Sequence, residues 1–583
     1  MQIAHYSRFE VNIVQKPFYA ENGASYPSTA IISFFDKKNH NIETIDYGYL
    51  TTNEIYNQID ENKSLSLDYC YVRNFSLTAF RRTRILDKKD IVTLKNITAK
   101  HTFFDSDFTI DFSYMHLYEG DIDFSYAHFA RGILDFSHTN FGDGNIDYSN
   151  SIIYSEEVDF ANSVFGAGEV IFKNSQFFKG NIDFQYTDFG EGDLNFTNTD
   201  FGDGNITFIN TNFGVGKAIF KVARFGKGEV DFHYSKFGNG DISFERVDFG
   251  DGNVNFKNIE FGTGKVNFNR SVFGNGNKTF EGCSSTGRMT FKKAALGNGD
   301  LSFELMEFGN SELNLEKAEL GNGACSFLNS QFSILDLSGC QINDYLDLRV
   351  LNCPYLNLSN TIVRDIIDFK PFDFKVNIKT LNLFGMRLLG TIYIDWEANE
   401  VKRLIQSQED TNNRQKADQF LTLKESFNKA GQYNDEDEAY VWFKRYEAIA
   451  KYQAKSEKGL AAKIIQAPVY AFEKLIFDYA GLYATNPMRV LLSMIVTLAC
   501  FGLIYAFVLS TNLGGIVSGL GDKHDLIGTF GRSFYHSGIT FFTIGYGDFY
   551  PMGAIRWLSN LEGFVGVFLM SYFTVAFVRK ILR

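Results

Sequence analysis

The sequence predicts a multidomain chain: a parallel β-helix of twelve-residue repeats, then a helical linker, then an all-α domain with two membrane spans. Three observations carry this. Phenylalanine recurs at fixed intervals through the middle of the chain, glycine thins out abruptly near residue 398, and two long apolar runs close the sequence. A short fixed period means stacked repeats, and an uncharged run of about twenty apolar residues is long enough to cross a bilayer. The expected divisions are a β-rich cap over 1–100, the β-helix over 101–397, the linker over 398–487 and the span domain over 488–583.

The composition agrees with repetition. Of 583 residues, 61 are phenylalanine and 51 glycine but only 7 are proline, and hydrophobic residues make up 45%. A disordered chain would be poor in aromatics. The formal charge of -13 argues against nucleic-acid binding through phosphates while leaving acidic mimicry of DNA open. Six scattered cysteines, Cys70, Cys283, Cys325, Cys340, Cys353 and Cys500, form no C-x-x-C pair, so neither a zinc site nor a disulfide framework is expected. The N-terminus, beginning Met1-Gln2-Ile3, lacks a basic segment followed by an apolar run, so no cleaved signal peptide is expected.

Residues 1–100 carry short alternating runs such as Leu65-Ser66-Leu67. They are expected to cap the open edge that a stack of strands exposes. One phenylalanine ladder then runs through Phe189, Phe201, Phe213, Phe225, Phe237, Phe249, Phe261 and Phe273. A second interleaves it at Phe184, Phe196, Phe208, Phe220, Phe232, Phe244, Phe256, Phe268 and Phe280. Two residues before each member of the second ladder sits an aliphatic side chain, as at Ile206, Val230 and Val254, with Lys278 breaking the rule. A period of two is a strand turning both residues inward, so the ladders are read as a dry core. Gly-x-Gly corners such as Gly250-Asp251-Gly252 separate the strands. After Phe332 leucine cores such as Leu346-Asp347-Leu348 continue the pattern to about Trp396.

Units such as Ile206-Thr207-Phe208-Ile209-Asn210 and Thr211-Asn212-Phe213-Gly214-Val215 resemble pentapeptide-repeat proteins, which implies a right-handed four-sided β-helix. This sequence departs from that family by two extra residues at each Gly-x-Gly corner. Two twelve-residue repeats per coil and about a dozen coils are expected, a stack on the order of 60 Å long at ~4.8 Å per strand.

In the linker, Phe420, Leu423 and Phe427 share a helical face, and Gly431 is read as its C-cap. Asp435-Glu436-Asp437-Glu438 supplies acids for the first turn of a second helix. A third amphipathic segment from Ala461 to about Leu482 is expected at a membrane surface, with Asn486-Pro487 turning the chain inward. The first span is read at 490–509 and the second at 558–578, the latter interrupted only by Glu562. Arg489 precedes the first span, Arg579, Lys580 and Arg583 follow the second, and the loop between mixes signs. Both termini are therefore expected in the cytoplasm of a multi-pass protein of the cell (inner) membrane.

Between the spans, 530–542 reads as a short pore helix and 543–548 as a filter. Thr540-Phe541-Phe542-Thr543-Ile544-Gly545-Tyr546-Gly547-Asp548 carries the potassium-channel signature T-x-x-T-x-G-Y-G-D, and the C-terminal domain resembles bacterial two-helix potassium channels. The resemblance implies a homotetramer in the lipid bilayer and a potassium-selective pore. It makes the carbonyls of Thr543, Ile544, Gly545 and Tyr546, with the Thr543 hydroxyl, the ligands of K+ as permeant ion, counts Gly547 in the ion-conducting filter, and implies no cofactor. Thr540, Asp548 and Tyr535 would support the filter, although the Trp-Trp pair and Glu that many family members use are replaced here by Tyr535-His536 and Ile539. Gly563 and Gly566 read equally as a gate hinge or as close packing. Phe573 and Phe577 read as a hydrophobic constriction. No span carries arginine at every third position, so no voltage sensor is expected.

The expected function is a potassium channel gated or modulated through the N-terminal solenoid. The alternative is a membrane-anchored acidic solenoid scaffold or DNA mimic in which conduction is secondary. No Ser/His/Asp set or phosphate-cradling loop stands out, so enzymatic activity is not expected. A ligand on the solenoid, membrane tension, pH acting through His536 and a protein partner all stand open as stimuli.

Overall fold

The computed structural model describes residues 5–62, 64–118, 120–371, 374–457, 459–511, 513–519, 527–553 and 555–582. The N-terminal Met1–Ala4, residues 520–526 of the mixed-sign loop and the flanking Arg583 lie outside the described residues. The chain forms two compact units, 1–408 and 409–583.

The first unit is a parallel β-solenoid. Strands pair with the strand 24 residues on, as in Ile146↔Val170, Val170↔Leu194 and Leu194↔Ala218, so each coil holds two twelve-residue repeats. Among the described residues one face is a 14-stranded sheet and another a 13-stranded sheet. Two further columns of pairing, represented by the bridges Asp188↔Asn212 and Asp200↔Arg224, close the coil. The stack begins at Ser64–Ser66, inside the stretch expected as cap. The cap proper is an antiparallel set, Arg8–Val14, Ser28–Phe35 and Asn41–Tyr49, whose last strand pairs parallel with Cys70–Arg73. It thereby covers an edge that would otherwise be free to pair with another chain.

The two phenylalanine ladders resolve into four stacks, because residues twelve apart lie on opposite sides of a coil. Phe184, Phe208, Phe232 and Phe256 stack at 4.5–4.9 Å. Phe196, Phe220, Phe244 and Phe268 form the next stack at 4.7–4.9 Å. Rings of the two stacks meet edge to face, as in Phe220–Phe232 at 84°, the arrangement that aromatic quadrupoles prefer. Beside them hydroxyls on both sides of the coil keep the buried backbone satisfied. Thr187 donates to Phe160 O at 2.9 Å, Thr199 to Phe172 O at 2.7 Å and Thr211 to Phe184 O at 2.6 Å.

The Gly-x-Gly corners have a steric cause. A Cβ at Gly216 would sit 2.0 Å from Gly192 O, and one at Gly240 would sit 2.0 Å from Gly216 O. Successive coils cross there backbone to backbone, with no room for a side chain.

Lys278 is the exception in the core. It occupies an inward position between Val254 and Leu301, is 2% exposed, and donates to Gly299 O at 3.2 Å. Burial pushes its ammonium down to about 8. Because the folded value lies below the unfolded one, the charged form opposes folding at neutral pH. That penalty is relieved as the pH rises through about 8 toward the ordinary lysine value. Lys278→Met is expected to stabilise the solenoid by about 2–3 kcal/mol at neutral pH. Its advantage over the native chain should shrink at about pH 10, as read from denaturation midpoints.

The second unit opens with a helical hairpin, Asn413–Lys429 and Tyr433–Ser456. Asn412 and Gln415 form a reciprocal capping box at its start. Gly431, at φ 71°, lets Gln432 N reach back to Phe427 O at 2.9 Å. Phe420 stacks on Tyr446 at 5.7 Å. The helix Leu460–Glu473 continues as a π-helical turn, Lys474–Tyr479, and leaves Ile464, Ile465, Phe472 and Leu475 exposed. Leu482, Tyr483 and Ala484 then adopt left-handed φ values of 49°, 56° and 63°. Two helices, Pro487–Ser510 and Ile555–Ile581, are long and apolar enough to cross a membrane. Between them lie the short helix Thr529–Phe541 and an antiparallel pair, Gly515–Ser518 with Phe549–Met552.

Candidate functional site

The site is built where the short helix gives way to extended chain. The helix closes at Phe541, and Thr543, at φ 53°, turns the chain back. Ile544 N reaches Ile539 O at 2.9 Å and Gly545 N approaches the same oxygen at 3.4 Å. From there the sign of φ alternates. Thr543 (53°), Gly545 (59°) and Gly547 (78°) are positive, while Ile544 and Tyr546 are not. An ordinary strand, with φ negative throughout, sends successive carbonyls to opposite sides; a chain whose φ alternates in sign departs from that pattern. Glycine serves two of the three positive positions at little steric cost.

Residues 542–547 are all exposed in the single chain, Tyr546 at 71%. Just beyond them the chain is anchored. Tyr535 donates to Asp548 Oδ2 at 2.7 Å, and Gly519 N reaches Asp548 O at 2.7 Å. The Tyr535 ring also packs edge-on against Phe549 at 5.5 Å. Thr540 lies on the last turn of the short helix, half-buried, where its carbonyl accepts from Thr543 N at 3.1 Å.

The two glycines of the second span differ. A Cβ at Gly566 would lie 2.1 Å from Phe541 O, whereas at Gly563 the nearest atom, Thr540 O, is 3.8 Å away. Gly566 is therefore a close-packing position against the end of the short helix. Gly566→Ala is expected to displace that helix end and to cost about 1–3 kcal/mol in stability, measurable by thermal unfolding in detergent. Phe573 and Phe577 stack on each other at 5.8 Å, one turn apart. Phe573 packs partly against the core between the spans, and Phe577 is exposed.

Two clusters were not legible as sites in the sequence. The first joins the end of the second span to the hairpin. Arg579 pairs with Asp437 at 2.9 Å and lies over the Tyr440 ring at 4.5 Å, while Lys580 pairs with Asp437 at 3.0 Å. Tyr572 donates to Phe477 O at 3.1 Å and accepts from Ala484 N at 2.8 Å. Arg445 of the hairpin holds Asp478 through two nitrogens at 2.8–3.1 Å. The acids read as helix-start residues and the basic residues read as a membrane flank are thus partners. The second cluster surrounds Glu562, with Tyr505, Ser537, His536 and Ser559. A lone acid in an apolar span was its one sequence signal.

Residues 492–583 match the profile of a family described as ion channel. The C-terminal part is an ion channel domain. No curated protein and no solved structure matches the chain. The matched stretch covers most of the first span, the short helix, the alternating segment and the second span, so it contains the Glu562 cluster and every site residue expected from the sequence, while Asp437, Tyr440, Arg445, Phe477, Asp478 and Ala484 precede it. With two helices of membrane-spanning length, the protein is a membrane protein.

Proposed function

We propose that the chain is a potassium-selective channel working as a homotetramer, gated through its N-terminal region. The observation that carries this reading is the alternation of φ sign through Thr543–Gly547 within the sequence T-x-x-T-x-G-Y-G-D. Such a backbone suits carbonyls gathered on one side, and carbonyls of Thr543, Ile544, Gly545 and Tyr546 would replace the water around K+ together with the Thr543 hydroxyl. Non-helical backbone at membrane depth must be covered by protein or line a wet cavity. The exposure of 542–547 in one chain therefore speaks for further copies around a common axis. Tyr535 would brace the outer end through Asp548. The C-terminal end of the short helix would turn its negative dipole toward the passing cation.

For gating, Phe573 and Phe577 would form the constriction, and Gly563, which has room around it, would be the freer of the two hinge glycines. Movement of the hairpin would reach the second span through Asp437, Arg579 and Lys580. The hairpin and solenoid would lie in the cytoplasm of a bacterial-type inner membrane, where a ligand or protein partner could act on them. The scaffold or DNA-mimic reading is less favoured. Solenoid acids are partly neutralised by cross-coil pairs, Lys221–Glu245 at 3.2 Å, Lys236–Glu260 at 3.1 Å and Lys257–Glu281 at 2.9 Å.

Flux from liposomes holding the purified full chain tests the proposal. Potassium is expected to pass and sodium to be excluded; equal permeation would sink the selectivity. Asp437→Ala is expected to alter open probability several-fold while leaving the potassium-to-sodium ratio unchanged, since the pair it breaks is worth about 1–3 kcal/mol. Single-channel recording separates the two quantities.

A further inference from the structure

Glu562 is fully buried in the second span, 0% exposed, and makes no ion pair among the described residues. A carboxylate without a cation costs several kcal/mol in such a place. Its Oε2 accepts from Tyr505 of the first span at 2.7 Å, and its Oε1 lies 2.5 Å from Ser537 Oγ of the short helix. The same Ser537 Oγ is 3.0 Å from Leu498 O of the first span. Serine has one hydroxyl proton and cannot donate in both directions.

The proton count decides between two patterns. With Glu562 ionised, the Ser537 O–H donates its hydrogen bond to the carboxylate and the link to Leu498 is lost. With Glu562 protonated, its O–H donates to Ser537 Oγ, Ser537 donates onward to Leu498 O, and Tyr505 still donates to Oε2. The second pattern is an unbroken relay from the second span through the short helix to the first. Among the described residues the titratable groups around the carboxyl are Tyr505 from the first span, in contact with it, and His536 from the short helix, one step away through Ser559. The second span contributes the Ser559 hydroxyl, whose Oγ is 3.2 Å from Tyr505 Oη and 3.0 Å from His536 Nε2. His536 Nδ1 is buried without a partner. Asp548, the other acid near this helix, is engaged by Tyr535.

We propose that Glu562 is a positioning residue of the pore, which in its protonated form ties the short helix to both spans and so fixes the filter it carries. The proposal rests on the channel reading. It is tested with the full chain in liposomes, following potassium and sodium flux from neutral to alkaline pH. The native protein should lose selectivity as the pH rises. Glu562→Gln, which keeps one donor and one acceptor, should retain the neutral-pH selectivity and lose the pH dependence. Glu562→Leu should raise relative sodium permeation about tenfold. Should that variant fail to fold, Ser537→Ala removes one atom from the middle of the relay and should shift selectivity in the same direction. A Gln variant with the native pH profile, or unchanged selectivity in both the Leu and Ala variants, would overturn the proposal. Infrared difference spectra of native against Glu562→Gln protein provide a readout independent of flux. A carboxylic-acid C=O band at neutral pH is expected, and its absence overturns the proposal even where potassium flux is normal. Conversely, a native protein that fails to discriminate potassium from sodium refutes the channel reading while the band still reports the protonation of Glu562.

Discussion

Alanine at Gly545 is expected to abolish potassium-selective flux while leaving the solenoid folded. Gly545 stands at φ 59° with nothing within 4 Å of the position a Cβ would take. The cost is therefore conformational rather than steric within one chain. A residue with a Cβ in the left-handed region costs about 1–2 kcal/mol, and a four-copy pore would bear it four times, about 4–8 kcal/mol in all. Relaxing the substituted residue to negative φ would remove that cost but break the alternation begun at Thr543 and continued at Gly547. Ion flux and solenoid unfolding should separate cleanly: selectivity lost, the β-sheet transition unmoved. Retained selectivity in Gly545→Ala would remove the basis for assigning ion contacts to these carbonyls.

The largest loss of stability is expected from alanine at a stacked corner, for instance Gly252→Ala. A Cβ there would lie 1.9 Å from Gly228 O, well inside contact distance, and the obstacle is backbone that cannot rotate away. Adjacent coils would have to separate, weakening the phenylalanine stacks beside the corner. A loss of about 3 kcal/mol or more is expected. Gly309→Ala is the control, because nothing lies within 4 Å of its Cβ position. Its cost should stay near about 1 kcal/mol. Because each coil touches only its neighbours, the damage should appear as partial unfolding around the substituted coil rather than uniform loss. Hydrogen exchange resolved along the sequence would detect it.

What the sequence disclosed follows from what is local or periodic. The phenylalanine spacing, the I-x-F strands, the apolar runs and the T-x-x-T-x-G-Y-G-D motif are each either short-range or repeated in step with the coils. The spacing of twelve does not itself set the coil length; two repeats per coil is an expectation from the resemblance, and the 24-residue strand pairing is what shows it. The stacked glycines were visible as corners, but their cause, the carbonyl of a glycine one coil earlier, is set by the third dimension. The start of the stack at Ser64–Ser66 was hidden because its strands lack phenylalanine and the interleaved helices Thr52–Asn62 and Leu77–Thr83 break the period. Arg579 and Asp437 are 142 residues apart, and Tyr505 and Glu562 57 apart. Nothing in either neighbourhood marks the other. Gly566 looked like Gly563 in the sequence and differs only in that Phe541 O lies beside it.

The left-handed turn at Leu482–Ala484 has a consequence for the energetics of the junction before the first span. Three side-chain-bearing residues wound the wrong way hold about 3–6 kcal/mol in the backbone. The turn persists beside the Tyr572 hydroxyl, which takes Ala484 N at 2.8 Å and gives to Phe477 O at 3.1 Å. Each such bond contributes about 1 kcal/mol net. The turn before the first span is therefore loaded, like a wound spring latched by a tyrosine of the second span. Any movement that draws Tyr572 away finds part of its work already stored in the chain.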